Sequence, residues 1–334
     1  MARLLFVYQR MATFVEHDRE VLSAEHELDD LHFPLHPPDG RGTAGWLLGR
    51  HRAMKAAMRG ADGAFVWFGD IPGASAARWA RRFGKKCVIV AGGYDGAYLP
   101  GTRYGLQQRP VRRRIARYAF ERADLVLTVS RALRRDLYRF CSPRRELMIY
   151  NGLPTGLYSP GGPQERRALT VAELTPQTVW RKGVEHFVRA AAHLPDVDFT
   201  VVGGSKGDAA ESLKATAPDN VAFTGFIPFD DLLALFRSHR VYVQASAYES
   251  FGYAPAEAML CGAVPVVTRR GALPEVVGDA GLYAPYGDPE GLARVIGVAL
   301  GSDLGPKARQ RVLERFPLEK RRDAMLGAIA DLFP

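Results

Sequence analysis

The chain has 334 residues, of which 47% are apolar and 24% are charged, as expected for a globular protein of two domains. No stretch reaches the roughly 18 uncharged apolar residues of a membrane-spanning helix, and residues 4–8 are too short for the apolar core of a secretory signal. Three isolated cysteines lack the spacing of a disulfide framework or a zinc site, so we expect a cytoplasmic protein with reduced thiols.

Positive charge is concentrated in the first half of the chain. Residues 1–155 contain 26 Lys and Arg against 15 Asp and Glu, whereas residues 156–334 contain 19 against 21. The densest basic runs are residues 78–86 and 109–122. Such a surface is either simply solvated or binds an anionic partner, and near an anionic membrane each basic residue contributes about 1 kcal/mol. Peripheral association with the inner face of the membrane is therefore an expectation for this half.

Short apolar runs typical of strands alternate with amphipathic helical stretches along the whole chain. In the first half, strands are predicted at 4–8, 64–68, 86–91 and 125–129, with helices such as 74–83 and 112–122 between them. In the second half, strands are predicted at 168–172, 199–202, 221–223, 241–244 and 264–268, and helices at 183–192, 229–238, 255–261 and 289–300. This alternation predicts an α/β fold in which each half is a doubly wound parallel sheet.

A linker separates the two halves, because residues 151–163 contain four Gly and three Pro. In doubly wound sheets, ligands bind beyond the carboxyl ends of the parallel strands. Functional residues are therefore expected in the loops that lead from strands into helices.

The segment 248–267 has the strongest chemical signal. Gly252 lies in a turn before a helix that is predicted to begin at Pro255 and to stop at Gly262. The N–H groups at a helix N-terminus attract phosphate. Glu249 and Glu257 flank this anion site, which suits the binding of neutral sugar or ribose hydroxyls. Alternatively, Glu257 only complements the helix dipole.

Two further segments fit a phosphate ligand. Arg181 and Lys182 precede Gly183, and we interpret them as following a strand and opening a helix, where they could neutralise a diphosphate. Gly203 follows the strand predicted at 199–202, which is a weak signal that gains meaning only beside the others.

The order of these segments resembles family four of the retaining GT-B glycosyltransferases, also called glycosyl transferases group 1. The matching motifs are Asn151-Gly152-Leu153, Arg181-Lys182-Gly183, Val202-Gly203-Gly204, Thr224-Gly225-Phe226, the glutamate pair Glu249 and Glu257, and Gly271-Ala272-Leu273-Pro274-Glu275. The resemblance covers about residues 85–330. It implies a GT-B fold with two Rossmann-like domains facing a central cleft, an acceptor-binding domain over 1–155 and a donor-binding domain over 156–312. A C-terminal helix at about 313–334 would pack back on the first domain.

The resemblance also assigns roles to individual residues. Glu249 would bind hydroxyls of the donor sugar, and Arg181 and Lys182 would stabilise the leaving diphosphate as its charge develops. Glu257 would bind the ribose. The remaining implied donor ligands are Gly203, the backbone N–H groups of Phe251, Gly252 and Tyr253, and the base-pocket residues Phe226 and Ile227. The implied reaction is a metal-independent hexosyl transfer from a UDP- or GDP-sugar, with retention of anomeric configuration and no other cofactor.

Two departures from the family pattern concern charged positions. Glu173 stands where the family usually has an Arg, after the first strand of the donor domain. Residues 92–96 stand where the family often has a His, so Tyr94 or Asp95 would face the acceptor, and we include Asp95 among the catalytic candidates. Alternatively, Asp95 caps its own turn.

The first loop, residues 9–19, lacks the glycine pair of the family, and its His17 and Asp18 are candidate acceptor ligands. Apart from these and Asp95, no catalytic base is evident, which suits a mechanism in which the leaving phosphate accepts the proton of the acceptor. The acceptor would be a small molecule, a lipid-linked sugar or a glycan.

Two other functions are consistent with parts of the sequence. A nucleotide-sugar epimerase shares the GT-B architecture but needs acidic and His residues from both domains, and the first half offers few. A basic nucleic-acid-binding protein fits the pI near 9.6, but the sequence has neither zinc spacing nor an aromatic RNA motif. We therefore expect no nucleic-acid partner.

Overall fold

The computed structural model describes residues 1–37, 42–100, 102 and 104–333. It divides into two compact units. The first comprises Met1–Gly152 together with the described residues from Leu318 onward, and the second comprises Leu153–Pro317. The division between the units thus lies three residues before the predicted boundary, and the returning segment begins at Leu318 and not near residue 313.

Within the described residues, the first unit contains a six-stranded parallel sheet of order β2-β1-β3-β4-β5-β6. Its strands are β1 Arg3–Tyr8, β2 Glu27–His32, β3 Gly63–Trp67, β4 Lys86–Ala91, β5 Leu125–Thr128 and β6 Glu146–Met148. Helices α1 Thr13–Ser23, α2 Thr43–Gly60, α3 Ile71–Arg82, α4 Pro110–Arg122 and α5 Arg131–Leu137 alternate with them. The side chains of β3 and β5 are entirely buried, as expected for central strands covered on both faces.

The part of the second unit that the structure describes has a parallel sheet of the same size, ordered β12-β11-β10-β7-β8-β9. Its strands are β7 Glu165–Val171, β8 Asp198–Val202, β9 Val221–Gly225, β10 His239–Gln244, β11 Val264–Thr268 and β12 Leu282–Ala284. Its helices are α6 Pro176–Lys182, α7 Val184–Ala190, α8 Ala209–Lys214, α9 Phe229–Ser238, α10 Tyr253–Leu260, α11 Leu273–Val277, α12 Pro289–Leu300 and α13 Leu304–Arg315. The strand order reverses between β7 and β10, and doubly wound sheets bind ligands in the crevice at the carboxyl ends of the strands at such a point.

The predicted strands are confirmed, with small shifts at their ends, and the strands that the sequence did not predict lie at sheet edges. β2, β6 and β12 are edge strands, and they are polar, as in the sequence ELDDLH of β2, or only three residues long. Edge strands bury less surface than central ones, so their sequences carry no continuous apolar run.

The last helix, α14 Leu318–Ile329, belongs to the first unit, where it packs against α1. Phe316 and Pro317 separate it from α13, which ends at Arg315. No helix in the described part of the chain combines the length and the apolar character needed to cross a bilayer.

Candidate functional site

Glu249 is held by side chains at the carboxyl end of β10. Its Oε1 atom accepts hydrogen bonds from Ser246 Oγ at 3.1 Å and from Gln244 Nε2 at 3.4 Å. Gln244 is itself fixed by the Tyr242 hydroxyl, which donates to its Oε1 at 2.9 Å. Among the described residues no donor reaches Oε2 of Glu249. One carboxylate oxygen is thus anchored while the other can bind a ligand.

Arg181 connects this network to α6. Its Nη1 atom lies 3.3 Å from Glu249 Oε1 and donates to the backbone oxygen of Tyr248 at 3.2 Å. The Arg181 and Glu249 side chains are 14% and 13% exposed. The Ala247 N–H also donates to the Arg181 backbone oxygen at 2.7 Å. The end of α6 is therefore fixed against the loop after β10.

The expectation that Arg181 and Lys182 open a helix is wrong, because they form the last turn of α6. Thr175 caps this short helix through a reciprocal bond with Thr178, and Pro176 occupies its first turn. This Thr-Pro signal was available in the sequence. Arg181 and Lys182 therefore approach the crevice from a helix C-terminus.

Lys182 lies within electrostatic range of both predicted glutamates. Its Nζ atom donates to the Val171 backbone oxygen, at the end of β7, at 3.3 Å. Burial lowers the pKa of Lys182, while the charges of Glu249 and Glu257 act in the opposite direction. This edge of the sheet thus holds a buried cation on which the charges of two carboxylates act.

Glu257, on α10, has a partner that the sequence did not reveal. The Tyr158 hydroxyl donates to its Oε1 atom at 2.9 Å. Burial raises the pKa of Glu257, and the Tyr158 hydrogen bond and the Lys182 charge oppose that rise. Tyr158 belongs to the Gly- and Pro-rich segment before β7, which therefore contributes to the site.

Helix α10 begins two residues earlier than predicted. Gly252, with a φ of 111°, is its N-cap, so Pro255 is the third helical residue and not the first. A proline is tolerated there because the first N–H groups of a helix have no intrahelical partner. Phe251 is only 2% exposed and packs edge-on against Phe316 at 5.4 Å, so its predicted phosphate contact can involve only its backbone.

The loop after β11 also supports Glu249, through its backbone. The Ala272 N–H donates to the Glu249 backbone oxygen at 2.8 Å. Gly271 has a φ of 57°, and a Cβ atom there would lie 2.1 Å from the same oxygen. Only glycine allows this approach, which gives the Gly271–Glu275 motif a physical function.

The ends of β8 and β9 carry the predicted base pocket. The Gly203 N–H donates to the Gly225 backbone oxygen at 2.9 Å, which joins the two strand ends. Phe226 follows directly and is 84% exposed, while Ile227 is half-buried. An aromatic ring that is exposed to this extent at the carboxyl edge of the sheet is available for stacking on a ligand.

Glu173, which replaces the arginine usual in the resembling family, forms an ion pair with Lys206. Their charged atoms lie 2.7 Å apart, and the side chains are 37% and 69% exposed. The loop after β8 thus places a cation at the end of β7, and nothing in the sequence pattern indicated this pair.

The remaining candidates, Tyr94, Asp95, His17 and Asp18, belong to the first unit. Both carboxylate oxygens of Asp95 accept backbone N–H groups, from Gly69 at 2.8 Å, Gly93 at 2.9 Å and Gly96 at 3.1 Å. Burial nonetheless raises the pKa of Asp95 to about 6. This geometry supports the alternative that Asp95 organises its own loop. The half-buried ring of Tyr94 packs beside it, 5.5 Å from Tyr104.

Asp18 is fully buried and forms an ion pair with Arg321 of α14. Two guanidinium nitrogens of Arg321 each donate to one carboxylate oxygen at 2.6 Å. This leaves Asp18 no exposed surface for an acceptor, so the geometry gives its predicted acceptor contact no support. The neighbouring His17 is partly buried, and burial lowers its pKa.

The family of glycosyl transferases group 1 matches residues 165–301, the segment that contains Arg181, Glu249 and Glu257. This segment of the chain is therefore similar to a group 1 glycosyltransferase domain. This match favours glycosyl transfer over the epimerase and nucleic-acid alternatives. Among the described residues, no cluster of three or more His, Cys, Asp or Glu is arranged to hold a metal ion.

Individual relatives agree with this domain. The chain is 29% identical over 240 residues to the alpha-maltose-1-phosphate synthase of Mycolicibacterium smegmatis, which covers 60% of this chain and 62% of that protein. The chain spans less than two thirds of the length of the curated relatives it matches in this way.

Solved structures show the fold. A sucrose-phosphate synthase from Thermosynechococcus elongatus superposes with a TM-score of 0.84 at 19% identity, over 99% of both chains. The Anabaena protein HepE, in complex with UDP and glucose, superposes with a TM-score of 0.82 at 18% identity, over 99% of this chain and 100% of that one. The fold is therefore GT-B, with two Rossmann-like units.

Proposed function

We propose that this protein is a glycosyltransferase that transfers a hexosyl group from a nucleotide sugar held by the second unit. The observation that carries the proposal is the arrangement at the carboxyl ends of β7 and β10. There, Glu249 is anchored through one oxygen, and Arg181, Lys182 and Glu257 surround it within the segment that matches the family.

Each of these residues has a role in the proposed donor complex. Oε2 of Glu249 accepts a hydroxyl of the donor sugar, and Glu257, oriented by Tyr158, accepts the ribose hydroxyls. Arg181 and Lys182 neutralise the diphosphate. Because their positive charge is fixed before reaction, it stabilises the leaving group most strongly as negative charge develops on it.

Backbone groups and aromatic side chains complete the proposed donor site. The N–H groups of Phe251, Gly252 and Tyr253 at the start of α10 face the phosphates, and Phe226 and Ile227 flank the base. Gly203 directly follows β8 and lies at the same carboxyl edge of the sheet. HepE is described in complex with UDP and glucose, so UDP-sugars are the first donors to test, followed by GDP-sugars.

The proposed reaction proceeds with retention of anomeric configuration and without a metal ion. The acceptor hydroxyl attacks the anomeric carbon on the face that the diphosphate leaves, and the departing phosphate oxygen takes up the hydroxyl proton. No protein base is needed for this step. The engagement of Asp95 by three backbone N–H groups supports this route, since that carboxylate is already occupied.

The acceptor is assigned to the first unit, where Tyr94 and His17 are the candidate contacts, and it is a small molecule, a lipid-linked sugar or a glycan.

The first unit holds 29 Lys and Arg against 18 Asp and Glu. On α4, Arg113, Arg114 and Arg117 are exposed, and Val111 beside them is 67% exposed. We assign this surface to binding at the inner, cytoplasmic face of an anionic membrane. Co-sedimentation with anionic vesicles at low salt should detect the association, and absence of binding would remove it.

Thermal shift with UDP, GDP, ADP, dTDP and their sugar conjugates, without added metal, tests the donor site. A ligand at 100 times its dissociation constant should stabilise the protein by about 2.7 kcal/mol. Glu257→Ala and Lys182→Ala should abolish the shift that one nucleotide series produces. Glu290→Ala, an exposed carboxylate on α12, serves as the matched control and should leave the shift unchanged.

Glu249→Gln distinguishes catalysis from binding. This variant should bind the nucleotide as the wild type does. It should cleave the sugar donor, and so form the nucleoside diphosphate, far more slowly than the wild type. A wild-type protein that no nucleotide stabilises, with or without metal, would contradict the donor assignment.

A further inference from the structure

Two adjacent arginines, Arg269 and Arg270, follow the end of β11 and stack on tyrosine rings. The guanidinium of Arg269 lies 3.9 Å from the centre of the Tyr283 ring, and that of Arg270 lies 4.5 Å from the centre of the Tyr286 ring. In the described part of the chain, neither guanidinium forms a hydrogen bond or an ion pair with a carboxylate. The second unit holds 16 Lys and Arg against 18 Asp and Glu, so acidic residues are not scarce in the unit that contains Arg269 and Arg270.

The tyrosine rings on which the two arginines stack are themselves held in place. The Tyr283 hydroxyl donates to the Gly278 backbone oxygen at 2.6 Å. The Tyr286 ring packs edge-on against His186 at 5.3 Å. Stacking fixes the plane of a guanidinium and leaves its N–H edges free for a planar anion. The guanidinium groups of Arg269 and Arg270 are therefore held in position before any ligand binds.

The two arginines line a groove with a volume of about 500 Å³, formed by residues 268–270 and 283–286. This volume is within the range of small-molecule sites. The groove adjoins the proposed donor site through the chain itself, because Arg270 directly precedes Gly271, which packs against the Glu249 backbone oxygen. The charge of Glu185 acts on Tyr286, but the Glu185 carboxylate pairs with Arg189 at 3.8 Å and not with Arg270.

We propose that Arg269 and Arg270 form an anion-binding site for the phosphate or carboxylate group of a sugar-sized ligand. The paired guanidiniums provide bidentate contacts to the anion, and the tyrosine faces and the groove beside them hold its carbohydrate part. This site is separate from the nucleotide site, and it stands whether or not the second unit binds a nucleotide sugar.

Isothermal titration of the full chain with glucose 1-phosphate, glucuronate, inorganic phosphate and glucose, at constant ionic strength, tests the proposal. The wild type should bind at least one of the three anions and should not bind glucose. The double variant Arg269→Gln/Arg270→Gln should bind that anion at least tenfold more weakly, because two charge-assisted contacts are lost. Arg294→Gln, an exposed arginine on α12 with a side chain 64% accessible, is the matched control and should bind as the wild type does.

The pair Tyr286→Phe and Tyr286→Ala separates positioning from charge. Phenylalanine keeps the ring and should keep the affinity, whereas alanine removes the support of Arg270 and should weaken binding severalfold at unchanged net charge. Glucose 1-phosphate binding much more tightly than glucuronate would assign the site to phosphate esters, and the reverse would assign it to carboxylates.

A wild type that binds none of the three anions at millimolar concentration would overturn the proposal, as would a double variant that binds as tightly as the wild type. Titrating UDP into the same variants shows whether the nucleotide site is intact. Loss of sugar-phosphate binding with UDP binding retained would locate the anion site in this groove, while failure of UDP alone would count only against the donor assignment.

Discussion

The buried ion pair between Asp18 and Arg321 gives the sharpest test of how the first unit is held together. The side chains of Arg321 and Asp18 are 1% and 0% exposed, and two bonds of 2.6 Å join them. Arg321 also donates to the backbone oxygens of Ile149 at 3.2 Å and Tyr150 at 3.1 Å. The Arg321 guanidinium thus joins α14 to α1 and to residues 149–150, which precede the linker.

Arg321→Met keeps the aliphatic volume but leaves the Asp18 charge buried without a partner. Removing one partner of a buried pair costs about 3–5 kcal/mol, because the remaining charge stays desolvated. Asp18→Asn combined with Arg321→Met should be less destabilised than Arg321→Met alone, since no uncompensated charge remains. Asp30→Asn is the matched control, because Arg19 and Asp30 form a similar pair with side chains 37% and 34% exposed. That exposed pair should contribute no more than about 1 kcal/mol.

Urea unfolding followed by tryptophan fluorescence measures these differences. In a Trp180→Phe background, all remaining tryptophans lie in the first unit, and Trp67 lies 5.7 Å from the Arg321 guanidinium. The midpoint for Arg321→Met should fall well below that of Asp30→Asn, with the slope of the free energy against urea unchanged.

Either of two results would refute this reasoning. The first is a free energy of unfolding for Arg321→Met within about 1 kcal/mol of the wild-type value, which is the range of an exposed pair. Alternatively, Asp18→Asn could leave stability intact while raising the KM of an acceptor, which would return Asp18 to the acceptor site.

Three further predictions concern single side chains. Gly271→Ala should displace the loop that supports Glu249, the proposed catalytic residue, and weaken donor turnover by at least tenfold, whereas Gly207→Ala, which also has a positive φ but open space around it, should leave turnover near wild type. The Asp95 pKa is raised from 3.8 to about 6, so its contribution to stability is complete below pH 4 and is lost as the pH rises to 6. Free energies of unfolding across that window should fall by about 2–3 kcal/mol relative to an Asp95→Asn protein, and parallel pH profiles would contradict this. Tyr158→Phe should raise the KM of the nucleotide sugar about tenfold by removing a hydrogen bond to the carboxylate predicted to bind ribose, with kcat changed less.

The central strands could be predicted from the sequence because burial on both faces imposes a continuous apolar run. β4 and β11 were predicted with the boundaries that the structure shows. The edge strands β2, β6 and β12 could not be predicted in this way, since hydrogen bonding to one neighbour determines them more than side-chain burial does.

The donor-site residues were predictable where they are close together in the chain. Glu249 and Glu257 have seven residues between them, which form a turn and the start of α10, so a single segment reveals both. Their partners are not local, because Tyr158 lies 99 residues from Glu257 and Arg181 lies 68 residues from Glu249. Only the return of parallel strands to one sheet edge brings these groups together.

The sequence by itself determined the α/β alternation, the two-unit organisation and the glutamate pair, because each of these depends on periodicity or short spacing. Tertiary structure alone decided how the acidic residues of the first unit are used. Asp18 is occupied by a guanidinium 303 residues away, and Asp95 by backbone groups that include Gly69 from a neighbouring loop. Whether a carboxylate binds a ligand or supports the fold depends on burial and on which donors reach it, and both are properties of the folded chain.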